Sequence, residues 1–288
     1  MLEAVPNVSE GRDRAAIDRI AEAFSRAARL LDVHVDADHH RSVLTLAGEP
    51  EELADSLVAG AAAALEAIDL RRHDGVHPRV GAIDVVPVVP ILGAPMTLAC
   101  ELALAVAERI GRELDVPVLL YGEVGEGRRP AFFRRGGLEE LARRVEAGEL
   151  TPFAGPSRVS ARSGAVLVGA RKPLVAYNVE LAEADVAIAR EIAAAVRESS
   201  GGMPGVQAIG LVLPRSRRVQ VSMNIVDLDR APLHEVVRRV EEEAAQRGAR
   251  IGGYELVGLV PEAVLLAARE AGVTIPGVDE TRVLERRL

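Results

Sequence analysis

The sequence predicts an α+β protein built from two similar halves, and three observations carry that expectation. Hydrophobic periodicity runs strand, helix, strand, strand, helix, strand over residues 2–89, and the same order returns over residues 174–260. Both copies place an Asn-Val step at the exit of the first strand (Asn7-Val8 and Asn178-Val179), and both last strands end in Val-Pro (Val89-Pro90 and Val260-Pro261). Between the copies, TPFAGPSRVSARSG over 151–164 breaks the pattern with Pro, Gly and Ser, dividing the chain into 1–154 and 155–288. Each half then reads as a split βαββαβ sheet of ferredoxin-like type covered by helices, with a substrate cleft between the halves.

In the first half, residues 2–5 are a strand, and the turn Asn7-Val-Ser-Glu-Gly-Arg12 feeds a helix over 14–30, with Ser9 and Asp13 as candidate caps. Residues 31–36 and 42–47 form a hairpin through the polar ADHHR turn. A helix over 51–68, a Val-rich strand over 82–89, a helix over 96–114 and an apolar strand over 116–121 follow. The Gly-rich run 122–127 lacks the GK[ST] and GxGxxG spacings and holds two glutamates, so it makes a poor phosphate loop. Residues 128–151 are charged and helical. The second half gives strand 174–179, helix 183–198, a hairpin of 207–213 and 219–225 through PRSRR, helix 233–247 and strand 254–260.

Composition narrows the function. A chain of 288 residues with 49% hydrophobic content can bury a sizeable core, but aromatics make up 2%, so that core is aliphatic. A net charge of −8 argues against a nucleic-acid partner, which needs a basic face. Cys100 is the single cysteine, set in the helical run MTLACELALAV, which excludes an internal disulfide and fits a buried, inert thiol in a reducing compartment. The start MLEAVPNVSEGRDR has neither the basic flank nor the apolar run of a signal peptide, and no stretch is long and apolar enough for a membrane span. A cytoplasmic location is expected.

The chemistry concentrates in RRHDGVHPRVGAIDVVPVVP, residues 71–90. His73 and His77 are the first candidates for acid/base work, because imidazole both gives and takes a proton near neutrality. Gly75 and Gly81 permit backbone shapes that a side chain forbids, and Pro78 stiffens the residue after His77. The structural alternative is a turn before a strand whose histidines cap backbone groups.

VPNVSEGRD, LLDVHVDADHHRSVLTLAG, IDLRRHDGVHPRVGAIDVVPVVP, VPVLLYGE, GARKPLVAYNVEL, VQAIG, VSMNIVDLDRAPLHEV and LVGLVPEAVLLAA occur in this order across nearly the whole chain. In these blocks the sequence resembles the glutamate formimidoyltransferase family, the formiminotransferase domain of the bifunctional folate enzyme of histidine breakdown. No cyclodeaminase sequence follows Leu288, so the resemblance implies a stand-alone transferase. It implies transfer of the formimidoyl group of N-formimidoyl-L-glutamate to N5 of tetrahydrofolate, the co-substrate, without a metal, in a homodimer. The family's acid/base is the histidine of the HPR triplet, here His77, assigned with the donor site to the N-terminal half. Asp84, Asp36 or Glu10 could stabilise the cationic amidinium.

Arg41, His73, Arg79, Asp84 and Arg171 sit in the matching blocks as candidate substrate-binding residues, with Lys172 beside Arg171, since both substrates carry carboxylates. The family's folate loop maps onto Gly155, Pro156, Ser157, Arg158, Val159, Ser160, Ala161, Arg162, Ser163 and Gly164, assigned with the C-terminal half. Val159, Ala161 and Ser163 depart from the family's aromatic residues and proline and remove a stacking surface, while Val76 replaces an acidic residue and His40 an Asn. Two rival readings stand beside this one. Asp36, Asp38, His39, His40, His73 and His77 could ligate a divalent metal, and the altered loop could mark a non-catalytic folate-binding paralogue or one acting on a different donor. His34 on its strand and His234 at a helix start read as structural.

Overall fold

The computed structural model, which describes residues 1–76 and 78–288, begins with an interrupted strand. Two short segments, β1 (Leu2–Ala4) and β2 (Asn7–Val8), share the same two neighbours, because Pro6 has no N–H to continue the ladder. Helix α1 (Arg14–Phe24) follows, and the Asp13 carboxylate caps it by accepting from the Ala16 N–H at 3.1 Å. The expected helix to residue 30 stops six residues early. Ser25 closes it by donating its N–H to Ala21 and Glu22, and the chain from Arg29 is taken by a strand partner. Sheet pairing there overrides the apolar period.

Strands β3 (Arg29–Asp36) and β4 (Arg41–Gly48) form the expected hairpin, and α2 (Pro50–Ala67) opens with a reciprocal Glu49/Glu52 capping box. Strand β5 (Ile83–Pro90) completes the first βαββαβ. Its strands lie in the order β3, β4, β1 with β2, β5, all antiparallel. Helices α1 and α2 approach closely at Gly60, where a Cβ would lie 2.2 Å from Cδ1 of the fully buried Phe24. Gly60→Ala is therefore expected to lower stability by about 1–3 kcal/mol in denaturant unfolding despite alanine's better helix propensity; a gain in stability would show that the contact relaxes freely.

The first unit then grows beyond the repeat. Helix α3 (Met96–Leu114) leads to β6 (Val118–Gly122), α4 (Pro130–Arg134), α5 (Gly137–Glu146) and a strand not expected from the sequence, β7 (Val166–Ala170). Strand β7 slots between β5 and β6, parallel to both, giving a seven-stranded sheet. Its five residues are all buried, which a parallel strand covered on both faces requires. Val166, Val168 and Ala170 join the core with α2 and α3, while Leu167 joins Val85, Leu119 and Tyr121 under Phe133, Leu141 and Val145 of α4 and α5.

This pairing corrects the expected boundary at 154/155. The chain divides into Met1–Arg171 and Lys172–Leu288, because β7 and the segment before it bond to the first sheet.

The second unit is β8 (Val175–Ala182), α6 (Val186–Val196), β9 (Val206–Val212), β10 (Val219–Ile225), α7 (Leu233–Gln246) and β11 (Arg250–Val257), followed by an unexpected α8 (Glu262–Glu270). Its antiparallel order, β11-β8-β10-β9, repeats the first unit's order of β5, β1 with β2, β4 and β3. The duplication seen in the sequence is thus present in the connectivity. Tyr177 and Val179 of β8 and Val221 and Met223 of β10 pack against Ile192, Val196, Val236 and Val240 from α6 and α7. Among the described residues, no helix is long and apolar enough to cross a membrane.

Candidate active site

Three segments of the first unit converge on the histidine loop that joins α2 to β5. The first is the turn before α1. There Oε1 of Glu10 accepts from three successive backbone N–H groups, Gly11 at 2.9 Å, Arg12 at 2.7 Å and Asp13 at 2.9 Å. Ser9 ties this turn to the far end of the loop, its hydroxyl donating to the Gly81 carbonyl at 2.7 Å and its N–H to Ala82 at 2.8 Å.

The second is the hairpin turn between β3 and β4. Asp36 accepts from the backbone of Asp38 and His39, both at 2.8 Å, and its other oxygen lies 2.5 Å from His39 Nδ1. Burial pushes the Asp36 carboxyl up, but these bonds outweigh it and hold the group down at about 2. His40, in the left-handed region at φ 51°, accepts from the Gly11 N–H at 3.1 Å and stacks on His73, with ring centroids 4.1 Å apart.

His73 is fully committed to its backbone surroundings. Its Nδ1 accepts from the Gly75 N–H at 3.1 Å, so the proton sits on Nε2, which donates to the His40 carbonyl at 2.8 Å. That arrangement suits only the neutral ring. Burial, with the Arg79 charge adding to it, lowers the His73 pKa to about 4, and burial lowers His40 as well. Below pH 6.5 the unfolded chain takes up a proton that the fold refuses, so stability should fall as pH drops from about 6.5 toward 4. Denaturant midpoints measured across that window should show the decline, and His73→Asn should flatten it; an unchanged slope would mean that His73 is not held neutral.

The third segment is the stretch 155–165, expected to carry a folate loop. It straps the histidine loop at both ends. Leu70 N–H donates to Arg162, Ala82 N–H to Ser163, and Ala165 N–H to Val80, each at 2.8 Å. The closeness depends on Gly164, at φ 72°, where a Cβ would lie 2.0 Å from the Val80 carbonyl oxygen. Val159 points into the core beside Val80 and Phe133. Its burial makes it a packing residue, which corrects the reading of Val159 as part of a lost stacking surface. Ser157, Arg158, Ala161 and Arg162 are the outward-facing side chains of this segment.

All of these parts lie within residues 1–171, the stretch matched by the family described as "Formiminotransferase domain, N-terminal subdomain", and "Formiminotransferase domain" matches residues 176–273. The chain belongs to the formiminotransferase family. It is 37% identical over 297 residues to a glutamate formimidoyltransferase of Thermoplasma acidophilum, covering all of this chain and 97% of that one. A glutamate formimidoyltransferase of Streptococcus pyogenes is 35% identical, with 100% and 98% covered. The formimidoyltransferase-cyclodeaminase of Rattus norvegicus is 38% identical over 93% of this chain, which spans 51% of that longer protein. Formimidoyl transfer is the activity this membership assigns.

The family's candidate residues are placed as follows. His77 lies outside the described residues. Arg79, half-buried, donates its guanidinium to the Gly75 carbonyl and so braces the loop. Asp84 is 4% exposed, accepts the Val80 N–H at 2.7 Å and pairs with Arg134. Arg41 opens β4 opposite Asp36. Arg171 leaves β7 with its N–H on the Val88 carbonyl at 3.0 Å. Its charge lies near the buried Tyr121 phenol, which burial pushes up to about 12 against the pull of Arg171 and Arg134.

Among the described residues, no group of three or more His, Cys, Asp or Glu could hold a metal ion.

Sequence reasoning missed two arginines. Arg12 bonds the Ala37 carbonyl at 2.9 Å and pairs with Asp74, joining the first turn to the hairpin turn and to the histidine loop. Arg134 neutralises Asp84 from α4, fifty residues away. Its PAFFRR context reads as a charged helix surface, and nothing in the chain's spacing signals the partner.

Proposed function

We propose that this transferase moves the formimidoyl group of N-formimidoyl-L-glutamate to N5 of tetrahydrofolate, releasing glutamate, with His77 as the acid/base. The observation that carries the assignment is the commitment of His73, whose two ring nitrogens are both used in holding the loop. That leaves proton transfer to the other histidine of the loop.

The chemistry follows from the atoms that change charge. N5 attacks the amidine carbon, and the carbon–nitrogen bond to glutamate breaks after a tetrahedral intermediate. N5 must lose a proton, and the departing glutamate nitrogen must gain one, so a single imidazole between them serves both steps. Of the carboxylates expected to stabilise the amidinium, Asp84 and Asp36 have both oxygens engaged. Glu10 directs Oε1 to its three N–H donors, and its Oε2 has no bond among the described residues. We assign the amidinium to Glu10.

Arg41, Arg79 and Arg171 supply cationic charge for substrate carboxylates. The exposed side chains of residues 155–164 face the folate, and the protein works as a homodimer. A single cysteine fits the reducing cytoplasm. The test is turnover: purified protein given both substrates should form 5-formimidoyl-tetrahydrofolate. Folate binding without product would overturn the reading in favour of a diverged paralogue.

A further inference from the structure

We infer that Asn7 selects an amidine donor over an N-formyl one, its side-chain oxygen accepting from the terminal nitrogen that a formyl group replaces with oxygen. The two halves repeat this asparagine at the exit of their first strand, and the acid/base reading leaves it without a role. Its strand neighbours correspond in the two copies. Asn7 stands opposite Val43 of β4 and Val85 of β5, and Asn178 opposite Ser222 of β10 and Glu255 of β11.

What each copy does with the carboxamide differs. Asn178 is buried and donates Nδ2 to the Glu255 carboxylate at 2.8 Å. At the corresponding place in the first unit Val85 has no acceptor to offer. There the strand is interrupted at Pro6, and Asn7 Nδ2 donates to the Val5 carbonyl at 2.9 Å. A carbonyl only accepts, so the nitrogen end of the group must face Val5, and the carboxamide is fixed against flipping. Oδ1 is turned the other way. Asn7 is half-buried, and its Oδ1 makes no hydrogen bond among the described residues.

This oxygen lies beside the groups assigned to the donor. Val8 packs into the core with α1 and α2, so strand alternation turns Asn7 to the opposite face of the sheet, which it shares with Val43 and, two residues along β4, Arg41. Ser9 bonds the Gly81 carbonyl at the end of the histidine loop, and Glu10, assigned to the amidinium charge, is the next residue. N-formimidoyl-L-glutamate and N-formyl-L-glutamate differ at one atom: the amidinium nitrogen donates, whereas the formyl oxygen only accepts. A fixed amide oxygen meets the first with a hydrogen bond and the second with opposed lone pairs, so it both attracts the right donor and repels the wrong one. This inference rests on the formimidoyl-transfer reading and names how its donor site chooses.

The test compares KM for N-formimidoyl-L-glutamate with the inhibition constant of N-formyl-L-glutamate, in wild type, Asn7→Ala and Asn7→Asp, with circular dichroism as the check on folding. Asn7→Ala should lower the preference for the amidine by about 10- to 100-fold, the worth of a hydrogen bond to a charged donor. Asn7→Asp, whose carboxylate only accepts, should keep the preference whichever way the group turns. A purely structural asparagine would weaken both ligands alike and leave their ratio at the wild-type value in Asn7→Ala; that result overturns the inference while formimidoyl transfer stands. If Asn7→Ala does not fold, a lost preference in folded Asn7→Asp overturns it instead. A wild type that binds both ligands equally also overturns it, and a wild type inert with N-formimidoyl-L-glutamate removes the transfer reading and this inference together.

Discussion

His77→Ala is expected to lower kcat by ~10² or more, the contribution of a positioned acid/base. The loss should fall on kcat, and on kcat/KM equally, with little change in KM, because the proton moves only on the way to the transition state. His73→Ala provides the contrast. It removes a ring that accepts from Gly75 and donates to His40, so it should loosen the loop and raise KM as well as lower kcat. A His77→Ala enzyme that keeps within a few-fold of wild-type kcat would remove His77 from the mechanism, even if the substrates stand.

Asp84→Ala is expected to cost about 3–5 kcal/mol in denaturant unfolding, the range for breaking a buried ion pair from one side. The Asp84 and Arg134 side chains are only 5% and 16% exposed, so removing the carboxylate strands a guanidinium in the core. The same change takes the acceptor from the Val80 N–H, at the point where residues 155–165 strap the histidine loop. Activity should therefore fall with stability. The double variant Asp84→Leu with Arg134→Met removes both charges and should recover much of the stability while leaving the loop unbraced. A loss below about 1 kcal/mol for Asp84→Ala would show that solvent already screens this pair.

How much of this was readable beforehand differs between elements and site. The helix over 96–114 and the strand over 219–225 have the expected limits in the structure, because a long amphipathic period and a clean alternation each leave few other ways to bury the same side chains. Strand β7 escaped because five apolar residues after a Gly- and Ser-rich stretch carry no period of their own. Helix α1 was overdrawn because its apolar period continues into residues that β4 captures by pairing. Within the site, the histidine loop stood out by composition, whereas Arg12 and Arg134 became visible only through partners 62 and 50 positions away.

The amino-acid sequence by itself determined the duplicated βαββαβ order, the concentration of titratable groups in residues 71–84 and the family to which the chain belongs. Tertiary structure alone decided that residues 155–165 belong with the first unit, that His73 is a neutral brace, and which carboxylates are already paired. The physical reason is range. Periodicity and turn chemistry act over a few residues, but an ion pair or a strap across two loops is fixed by where the sheet brings distant segments, and the local sequence holds no record of that meeting.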